Sequence, residues 1–254
     1  AGWDALDVGT EMVVNPNEWQ TRGKKWQDVR TAINKAKRDG ITDVLTTFKE
    51  APFSVQTQIR EISAQWAGKK ALPEMGFTLG GVDELIDSRV RLLYAVDGNG
   101  KVLGVTSWLP TYRDGTIIGW TLDFMRHRTD SVNGIMEFLI ARMAERLRDE
   151  GNVEFMSLSA APLAGMGSNE SEHEESEVLR HALQMVADIM EPAYGFHSLF
   201  RFKLKFHPDE EKVYICYPDA AKLPQISLAV AQAYVPSLTP AEAMRFVRTI
   251  APRD

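Results

Sequence analysis

The chain has 254 residues, is 44% hydrophobic and 25% charged, and carries a formal net charge of −6. That length supports one large domain or two small ones with real cores, and the composition is that of a globular protein. No apolar run approaches the roughly 18 residues that span a bilayer. A negative sum does not attract RNA or anionic lipid, so any such partner must be met by a local basic patch. The single cysteine, Cys216, excludes an internal disulfide and suits a reducing compartment. The start at Ala1-Gly2-Trp3 reads as a domain cut from a longer protein.

The first patterned stretch is residues 22–38. It holds Arg22, Lys24, Lys25, Arg30, Lys35, Lys37 and Arg38 against one acid, Asp28. Trp26, Val29 and Ile33 recur at helical spacing, so an amphipathic helix with a basic polar face is expected. A solvated surface helix has the same pattern. A second helix is expected over residues 54–66, capped by Ser54, with Val55, Ile59, Ile62 and Trp66 inward. Residues 84–87 make a short helical turn at most.

The period then changes to two. Strands are expected over residues 90–96 and 102–108, joined by the turn Asp97-Gly98-Asn99-Gly100, whose Gly and Asn tolerate positive φ. Residues 117–124 make a third strand, 134–148 a long helix and 154–159 another strand. The Gly-, Ser- and Glu-rich run 165–177 reads as a surface loop entering a helix that ends near Met190. Strands are expected over 199–207 and 212–217, and helices over 221–233 and 240–250. Cys216, between Ile215 and Tyr217, reads as a core residue. The order defines a mixed α/β protein with helices packed on a sheet. Residues 1–88 are expected to form a smaller N-terminal unit and residues 89–254 a larger C-terminal one.

Two stretches could carry chemistry. In Trp120-Thr-Leu-Asp-Phe-Met-Arg126, Asp123 and Arg126 would face opposite sides of a regular strand. For both to serve one site, the strand must end or bulge near Phe124. The helix then opens at Asn133-Gly134, where free N–H groups can meet a ligand. A surface Asp–Arg ion pair is the plain alternative. In Leu199-Phe-Arg-Phe-Lys-Leu-Lys-Phe206 the alternation places Phe200, Phe202, Leu204 and Phe206 on one face. Arg201, Lys203 and Lys205 fall on the other. That pattern fits a half-buried strand with a basic outer face, and equally a phosphate cradle. There is no G-x-S-x-G elbow, H-E-x-x-H pair, P-loop or dinucleotide fingerprint. Neither a metal nor a cofactor is expected.

These stretches resemble the catalytic domain of the bacterial lysyl- and alanyl-phosphatidylglycerol synthases, the multiple-peptide-resistance family. The matching segments are Arg22-Gly-Lys-Lys-Trp-Gln-Asp-Val-Arg30 with Asn34, then Leu122-Asp-Phe-Met-Arg126 and Asn133-Gly-Ile-Met-Glu-Phe-Leu139. Leu158-Ser-Ala-Ala-Pro-Leu-Ala164, Tyr194-Gly-Phe and Arg201-Phe-Lys-Leu-Lys-Phe206 follow in the family's order.

The resemblance implies two tandem N-acetyltransferase-like (GNAT-type) subdomains. It implies transfer of an amino acid from aminoacyl-tRNA to a hydroxyl of an anionic phospholipid, phosphatidylglycerol. It places the domain at the cytoplasmic face of the bacterial membrane, fused to transmembrane helices in the full-length protein. Asp123, Arg126 and Lys203 match the family's catalytic positions, with Arg201, Lys205 and Asn133 as substrate contacts. Arg22, Lys24, Lys25 and Arg30 would meet the tRNA backbone. The family's further acidic residue upstream of the late basic segment is not assigned. The wording Ser157-Leu-Ser-Ala-Ala departs from the family's and leaves the acceptor lipid open. Transfer to another lipid or a peptide, an acetyl-CoA-dependent N-acetyltransferase, and a non-catalytic RNA- or membrane-binding module remain alternatives. The acetyl-CoA reading lacks its Gly-rich loop, since the corresponding run is Arg128-Thr-Asp-Ser-Val-Asn-Gly134.

Overall fold

Alternating apolar residues build the centre of the sheet. In β3 (Arg91–Val96), Leu92 and Tyr94 enter one core while Leu93 and Ala95 enter another on the opposite side. A strand buried on both faces needs cover on both. Helices α1 (Gln27–Arg38) and α3 (Ile135–Glu150) cover one face, and α2 (Phe53–Ala67) covers the other. The computed structural model describes residues 2–67, 81–162 and 196–222, together with 225, 226, 229 and 233. The expected loop over 165–177, the helix ending near Met190, the segment Tyr194-Gly, the helix over 240–250 and most of that over 221–233 lie outside the described residues.

Among the described residues, seven strands form one sheet in the order β2-β3-β4-β5-β6-β1-β7. They are β1 (Asp4–Val14), β2 (Thr42–Thr46), β3, β4 (Val102–Arg113), β5 (Thr116–His127), β6 (Phe155–Pro162) and β7 (Asp209–Tyr217). All neighbours are antiparallel except β5 and β6, which are connected through α3 and run parallel. The mixed α/β class is as the sequence indicates. β1 and β2 had no counterpart among the expected elements. Both come from residues 1–88, yet they lie in the same sheet as the strands of residues 89–254.

The β3–β4 hairpin turns at Asp97–Gly100 as expected. The Asp97 carboxylate accepts the amides of Asn99 and Lys101, each at 2.9 Å. Helix α1 buries Val29, Ala32 and Ala36, with Trp26 just before it. Helix α2 buries Val55, Ile59 and Ile62 as predicted, although it begins at Phe53, so Ser54 is not its cap.

The largest correction concerns residues 199–207. They do not form a strand. Helix α4 spans Phe196–Leu204, and the chain turns through Lys205 and Phe206. The apolar–basic alternation also satisfies a helical period. Lys203 lies i+4 from Leu199, on the same side of the helix. Phe200, Phe202 and Phe206 pack on the core under α1 and α3, while Leu204 is exposed. Cys216, expected in the core, is exposed on edge strand β7.

Candidate active site

Strand β5 neither ends at Phe124 nor runs regularly past it. Thr106 pairs with Met125 and Trp108 with Leu122, so Asp123 and Phe124 together oppose the single residue Ser107. This is a β-bulge. The bulged amide keeps a partner, because Phe124 N–H donates to Ser107 Oγ at 3.1 Å. Cores on the two sides record the change of face. Trp120 and Leu122 belong to the core under α1 and α3, whereas Phe124 belongs to the core under α2. Arg126 follows Phe124 onto the α2 side. Its guanidinium carbon lies 3.5 Å from the Trp66 ring centroid and 4.8 Å from that of Phe124. Asp123 alternates with Leu122 and so also faces α2. The bulge thereby places Asp123 and Arg126 on one face, the condition set by their spacing. Arg126 is 3% exposed, and its Nη1 donates to Met125 O at 2.9 Å.

The neighbouring strand diverges here. Parallel β5 and β6 pair only from Gly119–Phe155 to Thr121–Ser157. Beyond that point β6 bulges against β1, with Leu158 and Ser159 opposing Met12, and Ser159 takes φ +68°. The polar groups released by this kink are satisfied locally. Ser159 N–H donates to Ser157 Oγ at 2.9 Å, and Ser159 Oγ donates to Leu122 O. Ser157, fully buried, donates its hydroxyl to Glu11 Oε1 at 2.5 Å. The carboxyl ends of adjacent parallel strands, held apart, are a common place for ligands in α/β sheets.

Lys203 enters this kink from α4. Its Nζ donates to Ser159 O and to Ala160 O, each at 3.1 Å. It is 3% exposed, and burial pushes its pKa down from 10.5 to about 8, opposed by the charge of Glu11. The three cations expected on one face therefore part company. A helix turns each successive pair of positions i, i+2 by about 200°. Lys203 is buried in the sheet, and Lys205 Nζ pairs with Glu137 of α3 at 2.7 Å. Arg201 is exposed. They do not form a common phosphate cradle.

Asn133 is exposed just before α3. Gly134 has φ +91°, and a Cβ there would lie 2.9 Å from Ala32 Cβ, so α1 and α3 meet closely at this point. Arg22, Lys24 and Lys25 are exposed in the segment leading to α1. Arg30 instead turns back on that segment, with Nη1 donating to Thr21 O at 2.7 Å and Gly23 O at 2.9 Å. Lys25 O in turn contacts His207 Nε2 at 3.0 Å, and the His207 ring meets Trp26 edge to face. The end of α4 is thus tied to the basic segment. Glu11, Ser157 and Ser159 escaped notice as a set. Nothing in the sequence signals that β1 lies beside β6, and only the unusual Ser157-Leu-Ser wording drew attention to that strand.

These features define a mixed α/β domain with a polar site where two parallel strands separate. The chain matches the family model described as phosphatidylglycerol lysyltransferase, C-terminal, over residues 1–217. It belongs to that family. A Corynebacterium glutamicum protein described as uncharacterized is 41% identical over 92% of this chain and 29% of its own length. The phosphatidylglycerol lysyltransferase of Bacillus subtilis is 29% identical over 85% of this chain and 24% of its length. The chain thus spans less than a third of the length of those relatives. Among solved structures, L-PGS of Bacillus licheniformis superposes with a TM-score of 0.71 at 23% identity, covering 92% of this chain and 67% of that one. The C-terminal domain of a putative lysylphosphatidylglycerol synthetase from Agrobacterium fabrum gives 0.71 at 24% identity, covering 91% and 66%. Both share the fold.

Proposed function

We propose that this chain transfers an amino acid from aminoacyl-tRNA to a hydroxyl of phosphatidylglycerol. The observation that carries the reading is the β5 bulge, which brings Asp123 and Arg126 to one face beside the β5–β6 divergence. Aminoacyl-tRNA is an activated ester. Its transfer to another hydroxyl needs alignment, relief of the hydroxyl proton and support for the developing oxyanion. Asp123 orients the acceptor hydroxyl and draws on its proton. Arg126 supplies positive charge for the lipid phosphate or the terminal tRNA phosphate. Lys203, tied to two carbonyls, places a fixed positive charge at the kink, where it supports the oxyanion; it is not a mobile phosphate clamp. Exposed Arg22, Lys24 and Lys25 meet the tRNA backbone, adding affinity without sequence choice. The lipid reaches the domain at the cytoplasmic face of the membrane, in a full-length protein that also carries membrane helices.

The test is to incubate the chain with labelled aminoacyl-tRNAs and vesicles of phosphatidylglycerol, then identify labelled lipid. The expected product is an aminoacyl ester of phosphatidylglycerol. Label in no lipid with any aminoacyl-tRNA would overturn the reading.

A further inference from the structure

A lysine amine that is 3% exposed must be given its charge by something nearby. The two carbonyls that hold Lys203, Ser159 O and Ala160 O, provide dipoles but no opposite charge. β6 itself has no ionisable residue. On α3, Glu137 is engaged by Lys205. Arg201 on α4 and His207 just after it are exposed. On β5, Asp123 and Arg126 face α2. On β1, Asp7 pairs with Lys212 at 3.2 Å. Glu11 remains. It is the register partner of Ala160, whose carbonyl holds Lys203, and its charge is the one that favours the Lys203 ammonium. On its other side Glu11 faces Glu211 of β7, which is exposed and also negative.

Glu11 is itself fixed. Ser157, fully buried, donates to Oε1, and the same hydroxyl accepts the amide of the kinked Ser159. One chain of contacts thus runs from Glu11 through Ser157 and Ser159 to Lys203. Glu11 and Lys203 make no direct ion pair among the described residues. They act on each other through space, across the kink.

We propose that Glu11, oriented by Ser157, is a positioning residue that keeps Lys203 charged at the point where β5 and β6 part. Glu11 touches no substrate in this role and acts through Lys203. The catalytic consequence rests on the proposed transfer reaction, but the effect on Lys203 does not.

The experiment is a titration of the Lys203 ammonium in the whole chain. Lysine side chains are labelled with 15N, and the Lys203 signal is identified by its loss in Lys203→Met. In the unmodified chain the midpoint is expected near pH 8. Glu11→Gln keeps an acceptor for the Ser157 hydroxyl and removes only the charge. It should lower the midpoint by at least about one pH unit, the scale of a single opposite charge at close range. Glu11→Asp should restore much of it. Ser157→Ala, which releases Glu11 without discharging it, should give a smaller fall and covers the case in which Glu11→Gln does not fold. An unchanged midpoint in Glu11→Gln, or in Ser157→Ala if that alone folds, overturns the proposal. In the transfer assay, Glu11→Gln should lose roughly threefold to tenfold in rate at pH 7.5 and recover near pH 6.5. A loss that does not recover on acidification also counts against it. If the unmodified chain transfers nothing, the reaction reading fails while the titration still decides the role of Glu11.

Discussion

The hydroxyl of Ser107 accepts the backbone N–H of Phe124 at 3.1 Å, and this bond holds the bulge at which Asp123 and Phe124 of β5 oppose one residue of β4. Ser107→Ala leaves that buried N–H without its partner, which costs about 1–3 kcal/mol. Urea unfolding should show the loss. Transfer activity should fall further than stability, because a slip of register past Phe124 turns Asp123 and Arg126 to opposite faces. A variant as stable and as active as the parent would show that the bulge is held by other contacts.

Asp123→Asn tests the group assigned to the acceptor hydroxyl. The amide keeps the size of the carboxylate but cannot take the proton. The rate per folded molecule should drop by at least about two orders of magnitude, the usual scale for a positioned acid–base group. Near-ultraviolet circular dichroism should report retained packing. Transfer within a few-fold of the parent would remove Asp123 from the mechanism.

An end or a bulge of the strand near Phe124 was legible in the sequence, and the structure has the bulge, with β5 continuing to His127. Asp123 and Arg126 are three residues apart, and only an irregular strand serves one site with both. The β3–β4 hairpin was legible from its turn residues, and α2 from its apolar spacing. β1 was not, because Asp4, Asp7, Gly9 and Glu11 are poor strand formers. Its ladder comes from β6 and β7, both distant in sequence. Helix α4 was misread because Phe200, Phe202 and Phe206 fit a period of two as well as a helix, and aromatic residues favour strands. That error carried the site with it. A strand places Arg201, Lys203 and Lys205 on one exposed face, whereas the helix buries Lys203 and separates it from the others.

The basic segment before α1 offers a division of labour. Lys24 and Lys25 are exposed, but Arg30 bonds to the carbonyls of Thr21 and Gly23. Lys24→Ala with Lys25→Ala should weaken tRNA binding and flatten its salt dependence, with the logarithmic slope falling by about 2 if each contacts a phosphate. Stability should change by no more than about 0.5 kcal/mol. Arg30→Ala should instead loosen the segment and lower stability by about 1 kcal/mol or more. Binding titrations at several salt concentrations decide it. An unchanged slope in the double variant returns the segment to an ordinary solvated surface.

Lys203 and Lys205 lie two residues apart in different surroundings, and the stability contributed by Lys203 should change with pH. Lys203 is buried, and its pKa in the folded chain is about 8, below the ordinary 10.5. Below pH 8 the folded and unfolded chains both hold the proton, so the cost of burying the charge is fully present. Between pH 8 and 10.5 the folded chain releases the proton while the unfolded chain keeps it. Stability from this group therefore rises with pH across that window, by at most about 3 kcal/mol. Lys203→Met removes the titrating group, so its stability should lack this rise. The gap between variant and parent should move in the parent's favour from pH 8 to pH 10. Lys205 is different because it is partly exposed and paired with Glu137. Lys205→Ala should cost no more than about 1 kcal/mol. Urea midpoints for all three proteins at pH 7, 8, 9 and 10 make the comparison. Parallel curves for the parent and Lys203→Met would mean that Lys203 does not carry a buried charge, and its place in the site would have to be given up.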